Sequence, residues 1–67
     1  MNVSKIGKKI RAIREAKGLK MNAVADTCNM SSGTLHYIET CCQDPKALQI
    51  ERLAKALGVS PGDFFQE

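Results

Sequence analysis

Residues 21–40 constrain this chain more than any other stretch, because they specify a sharp turn between two short helices. Apolar side chains fall at Val24, Cys28, Met30, Leu35 and Ile38, the spacing of two amphipathic helices that share an inner face. Ala25 is small enough to let the two helices touch. Between Cys28 and Met30 stands Asn29, a residue type that tolerates the left-handed backbone such a turn needs. Any one of these matches is weak. All of them together, at consistent spacing, predict a helix-turn-helix over about 21–40. The competing reading is an ordinary helical hairpin in a small bundle. It is disfavoured because the turn and both apolar faces fit at once.

The remaining residues extend the helical pattern. Ile6, Ile10 and Ile13 lie at i, i+4 and i+7, with Ala16 continuing the stripe. They predict a helix from Ser4 as N-cap to Lys17, with Gly18 as the stop. Gly7 inside that helix costs up to about 1 kcal/mol relative to Ala, and suits a close helix contact. The second helix is expected from Met21 to Cys28, and the third after Ser31 as N-cap. Asp44-Pro45 reads as an N-cap and first-turn proline for a fourth helix. Its stripe is Ile50, Leu53, Ala54 and Leu57, and Gly58 closes it. Ser60-Pro61-Gly62-Asp63 repeats the capped start and predicts a short fifth helix carrying Phe64 and Phe65. At least one of these two is expected in the core, and one is available to a dimer interface. The expected fold is all-α, a compact five-helix domain spanning 1–67.

Composition narrows the function classes. A chain of 67 residues buries only about 60% of its unfolded surface, so the core is small. The net charge of +3 is unevenly spread. Residues 1–20 contain Lys5, Lys8, Lys9, Arg11, Arg14, Lys17 and Lys20 against Glu15 alone. A basic end suits nucleic acid or an anionic membrane surface. It also arises from plain solvation of a helix face, the reading preferred for Lys5, Lys8 and Lys9. No apolar run spans a membrane, and no signal-peptide core follows the basic start. Three cysteines, two of them adjacent, do not form a disulfide framework, and a reducing cytoplasmic setting is expected. Cys28 occupies an inner helix position. Cys41, Cys42 and His36 do not match a zinc-site spacing, so no metal is expected. A thiol-based response at Cys41 and Cys42 is a separate hypothesis. No nucleophile–base pair or phosphate-binding glycine loop is present, so no enzyme activity, cofactor or small-molecule substrate is expected.

Three segments carry a resemblance. IGKKIRAIREAKGL, the helix-turn-helix, and DPKALQIERLAKALGVSPGDFF together resemble the Cro/C1-type (XRE) helix-turn-helix domain of phage repressors and small bacterial regulators, over about residues 4–65. The resemblance implies a lambda-repressor-like fold. It also implies a transcription regulator that binds double-stranded operator DNA as a two-fold homodimer, meeting successive major grooves about 34 Å apart. By the same resemblance, Ser32, Gly33, His36 and Tyr37 on the third helix read base edges. Lys20, Asn22, Ser31, Thr34, Thr40 and Gln43 touch the DNA backbone, and Arg14 and Glu39 form an internal salt bridge. The chain departs from the pattern at several positions. Met21 replaces a polar residue, often Gln. Cys41 replaces Gly, Cys42 a basic residue, and Asn29 the turn Gly. Ser32 to Tyr37 contains no Arg, Lys, Asn or Gln, the side chains that make bidentate contacts to guanine or adenine. Direct readout is therefore expected to be modest, with DNA shape and bridging water contributing. The alternative reading is a protein-interaction module on the same fold, antitoxin-like or anti-repressor, with weak or lost DNA binding.

Overall fold

The computed structural model describes residues 4–65; the two ends of the expected 1–67 domain, residues 1–3 and 66–67, lie outside the described residues. Ser4 begins the first helix, its Oγ accepting the Gly7 N–H at 2.8 Å. Helix α1 runs over Lys5–Ala16, α2 over Met21–Thr27, α3 over Ser32–Thr40 and α4 over Ala47–Leu57. A 3-10 turn at Pro61–Phe65 follows. The described residues contain no strand, and none of their helices is long and apolar enough to cross a membrane.

The fold is all-helical, but with four α-helices in place of the five expected. The fifth segment, Pro61–Phe65, is a 3-10 turn. The segment closes instead through Asp63 N–H to Ser60 O at 2.9 Å, an i→i+3 bond. The Asp63 carboxylate returns the favour, accepting the Ser60 N–H at 3.1 Å. The tight turn sends the two phenylalanines in opposite directions. Phe64 is 2% exposed and plugs the space between α1 and α4, whereas Phe65 is 61% exposed. Complete burial of such a side chain contributes about 1.5–3 kcal/mol.

Three helices end with one hydrogen-bond pattern. After α1, the Gly18 N–H reaches Glu15 O at 3.0 Å and the Leu19 N–H reaches Arg14 O at 3.1 Å. After α2, the Asn29 N–H reaches Asp26 O at 3.1 Å and the Met30 N–H reaches Ala25 O at 3.0 Å. After α4, the Gly58 N–H reaches Lys55 O at 3.2 Å and the Val59 N–H reaches Ala54 O at 2.9 Å. These are Schellman caps, each with a left-handed residue followed by an apolar one that folds back. Leu19, Met30 and Val59 all pack against the core. The left-handed residue is glycine twice; in the helix-turn-helix it is Asn29, at φ 61°.

Two expectations about helix detail are corrected. Ala16 is exposed, and the stripe of α1 continues from Ile6 and Ile10 to the buried Arg14, with Ile13 half-buried beside it. Apolar periodicity does not see a buried guanidinium. The fourth helix does not start at Asp44-Pro45. Lys46 is its N-cap, with φ −69° and ψ 155°, because the Gln49 side chain reaches back to accept the Lys46 N–H at 3.3 Å.

The core gathers Ile6 and Ile10 from α1, Val24 and Ala25 from α2, Leu35 and Ile38 from α3, and Ile50, Leu53, Ala54 and Leu57 from α4, together with Cys28 and Phe64. Burial raises the Cys28 thiol pKa, and its Sγ lies 3.5 Å from Arg52 O. Gly7 marks the closest crossing, between α1 and α3. A Cβ there would stand 2.5 Å from Ile38 O and 3.3 Å from Ser4 Oγ. Backbone cannot retreat as a flexible side chain can. Gly7→Ala is expected to lower stability by about 1–3 kcal/mol despite its gain in helix propensity, a fall in Tm of several degrees. Gly33→Ala, whose Cβ would meet only Ser31 Oγ at 3.9 Å, is expected to hold or raise Tm. Thermal melts of the two variants check the contrast.

Candidate nucleic-acid interface

Helix α3 is held from behind by α1. Arg14 sits in the last turn of α1 and Glu39 near the end of α3. Arg14 Nε donates to Glu39 Oε2 at 2.8 Å, and Nη2 donates to Oε1 at 3.1 Å. Nη1 donates to Leu19 O at 2.9 Å in the α1–α2 connection. The side chains are 10% and 1% exposed. The fork geometry matches the carboxylate with two parallel bonds, the strongest arrangement open to this pair. Hydrogen bonding to Glu39 raises the Arg14 pKa, outweighing the opposing desolvation. At the other end of α1, the Ser4 N–H donates to Cys41 O at 2.9 Å. Thus α1 grips the C-terminal half of α3 at both of its own ends, with Gly7 between.

With its inner side occupied by Leu35, Ile38 and Glu39, α3 turns Ser32, Gly33, His36 and Tyr37 outward, all exposed. At about 100° per residue these four span an arc of roughly 140°, one continuous face. Tyr37 is 59% exposed, a large aromatic group left in water. The structure brings these four residues together on one helix.

Other residues singled out in the sequence are distributed around it. Ser31 is the N-cap of α3, its Oγ accepting the Thr34 N–H at 3.1 Å and lying 2.9 Å from Thr34 Oγ1. Thr40 Oγ1 donates to His36 O at 2.7 Å, so its proton is used within the helix. Lys20 is the exposed N-cap residue of α2, and Asn22 is exposed in its first turn. Met21 is half-buried and packs against the core. It has exchanged a polar role for an apolar contact. Gln43 is exposed in the α3–α4 connection, and its N–H donates to Cys41 Sγ at 3.3 Å.

Sequence reasoning assigned no role to Lys46. A cleft of about 210 Å³ lies beside α3, lined by Thr34, Tyr37, Gln43, Asp44, Lys46 and Gln49 among others. Lys46 brings a cation to the flank of the exposed α3 face, and Asp44 a carboxylate. The register of α4 decides this placement, and the Asp44-Pro45 start hid it. Cys41 was read as a departure from the family pattern and, with Cys42, as a separate thiol hypothesis. Its thiol pKa is lowered, first by a hydrogen bond from the Tyr37 side chain and then by the Gln43 amide. The same contact raises the Tyr37 pKa. Among the described residues, no group of three or more His, Cys, Asp or Glu is placed to hold a metal ion.

A helix-turn-helix domain model matches residues 5–64. The chain belongs to the Cro/C1-type (XRE) helix-turn-helix family. No curated protein sequence matches it significantly. Among solved structures, this family member is similar to the restriction-modification controller protein C.AhdI from Aeromonas hydrophila, with 27% identity and a TM-score of 0.86 over 94% of this chain and 96% of that one. It is similar to the DNA-binding domain of the P22 C2 repressor, with 26% identity and a TM-score of 0.84 over 97% and 86%. It is also similar to SinR of Bacillus subtilis, the master regulator for biofilm formation, solved in complex with DNA; the identity is 26% and the TM-score 0.81 over 91% and 98%.

Because the Arg14–Glu39 pair is desolvated, removing either partner strands a charge in the interior. Arg14→Ala or Glu39→Ala is expected to cost about 3–5 kcal/mol. The whole stability of a 67-residue chain is on the order of 3–10 kcal/mol, so either single variant is largely unfolded near its melting range. The paired replacement Arg14→Met with Glu39→Leu is expected to cost less than either alanine variant. Urea unfolding of all three measures the difference.

Proposed function

We propose that this chain is a sequence-specific DNA-binding transcription regulator that places α3 in the major groove of an inverted-repeat operator. The observation that carries the reading is the outward face of α3: four exposed residues on a helix backed by α1. In this reading Ser32, Gly33, His36 and Tyr37 meet base edges. Gly33 leaves room for a thymine methyl, and the hydroxyl and imidazole groups make single hydrogen bonds. Lys20, Asn22, Ser31, Thr34, Thr40 and Gln43 face the phosphates. Lys46 joins them as a point charge on the flank of the groove.

The family membership supports the reading, as do the neighbours that are themselves regulators, one of them solved with DNA. Two-fold operators call for a homodimer, and the exposed Phe65 offers an apolar contact for one. A cytoplasmic location follows from the same reading. The second reading, a protein-interaction module on this fold, is favoured by one specific observation: the α3 face carries an exposed Tyr37 and no Arg, Lys, Asn or Gln. An aromatic group on a helix face that itself carries no cationic side chain suits a protein partner better than a phosphate-lined groove.

Selection of bound sequences from a random duplex pool, followed by affinity against salt, separates the two. Operator binding gives an enriched inverted repeat and a steep negative log–log salt slope. No enrichment and a slope near zero would sink it. Under operator binding, Tyr37→Ala or Ser32→Ala relaxes sequence preference. Lys20→Ala weakens all sequences alike and reduces the salt slope by about 1.

A further inference from the structure

Several polar groups on and beside α3 are already committed within the protein. The hydroxyls of Ser31 and Thr34 lie 2.9 Å apart, and the Ser31 oxygen also accepts the Thr34 N–H. The Thr40 hydroxyl donates to His36 O. On α4, the Gln49 side-chain oxygen accepts the Lys46 N–H. What α3 turns outward is Ser32, Gly33, His36 and Tyr37. In the major groove a guanine edge offers two acceptors, and an adenine edge one donor and one acceptor. Both are read best by a side chain that makes two hydrogen bonds at once, and residues 32–37 contain no Arg, Lys, Asn or Gln. Thymine alone adds an apolar group to that groove, its 5-methyl.

Two features of α3 suit that methyl. Gly33 leaves a hollow on the helix surface, because a Cβ there would meet only Ser31 Oγ, at 3.9 Å. One turn later Tyr37, at i+4 on the same line of the helix, holds an aromatic ring 59% exposed to water. We propose that this chain recognises its operator chiefly through thymine 5-methyls, one of them seated over Gly33 beside the Tyr37 ring, so that each half-site presents T·A pairs to α3; the proposal rests on the operator-binding reading.

The size of the effect follows from the chemistry. Covering one methyl-sized apolar group is worth about fourfold in an equilibrium constant. That lies at or below the low end of what a bidentate base contact supplies, so discrimination is graded and accumulates over several methyls. Thymine O4 is an acceptor, and a donor from Ser32 or His36 can join the methyl contact on the same base. A side chain at position 33 would occupy the volume that the base methyl takes. Such a variant keeps its fold, since the added Cβ meets no backbone.

The test uses the operator enriched from the random duplex pool, with each thymine of a half-site replaced in turn by deoxyuridine. That exchange keeps every hydrogen-bonding group and phosphate and removes one methyl. A loss of about fourfold in affinity is expected at one or more positions of each half-site. Replacing the most sensitive T·A pair by C·G should weaken binding, and 5-methylcytosine in that place should recover about fourfold. Gly33→Ala, with its Tm held, and Tyr37→Ala should each bring the preference for thymine over uracil at that position close to one. Enriched half-sites without thymine, uracil duplexes bound as tightly as thymine duplexes, or a preference that persists in both variants would each overturn the proposal and leave the operator reading standing. No enrichment, with a flat salt response, sinks the operator reading and the methyl proposal with it.

Discussion

The buried pairing of Arg14 with Glu39 is the interaction on which the orientation of α3 depends. A helix of nine residues cannot hold its own direction. Leu35 and Ile38 bury one side of it, but apolar contacts are non-directional and define its rotation less sharply than paired hydrogen bonds do. The bidentate fork removes that freedom, because two parallel hydrogen bonds fix both position and rotation. The third Arg14 bond, to Leu19 O, ties the α1–α2 connection to the same point. The Gly7 crossing and the Ser4–Cys41 bond then fix the opposite end of α1 against the same helix. The outer residues of α3 are left with no structural duty except capping, and so are available for recognition.

The caps supply the second constraint. Each Schellman cap reverses the chain in two residues and returns an apolar side chain to the core. The chain can thus change direction three times without a long loop. Asn29 carries this geometry in the helix-turn-helix at a cost that glycine would avoid, since left-handed backbone is strained for residues with a Cβ. Helix α3 ends otherwise. Cys41 is extended at ψ 154°, and the chain leaves toward Lys46. This connection, and not the helix-turn-helix, puts Lys46 and Gln43 beside Tyr37.

Much of the fold was legible because inner residues obey simple spacing. Val24, Ala25, Leu35, Ile38, Leu53 and Leu57 fall where period 3.6 puts them, and Ser4, Ser31, Gly18 and Gly58 mark ends by their own chemistry. What was not legible has physical causes. Ala16 continued an apolar stripe by identity, yet a methyl group adds little burial energy, and the three bonds of Arg14 decided which position turned inward. Asp44-Pro45 had the right residues for a helix start, but Gln49 capped a backbone N–H two positions later. Pro61 to Phe65 was read as an α-helix, but the reciprocal bonds of Ser60 and Asp63 close it as a 3-10 turn. In each case a specific hydrogen bond overrode a local preference worth a fraction of a kcal/mol.

The candidate site was less legible than the fold for a reason that lies in the chemistry of surfaces. Inner positions are tested against one another by packing, so their pattern is redundant. Outer positions on α3 are tested only against a partner that the chain does not contain. The resemblance nominated Ser32, Gly33, His36 and Tyr37 by place, and their shared exposure follows from the burial of Leu35, Ile38 and Glu39.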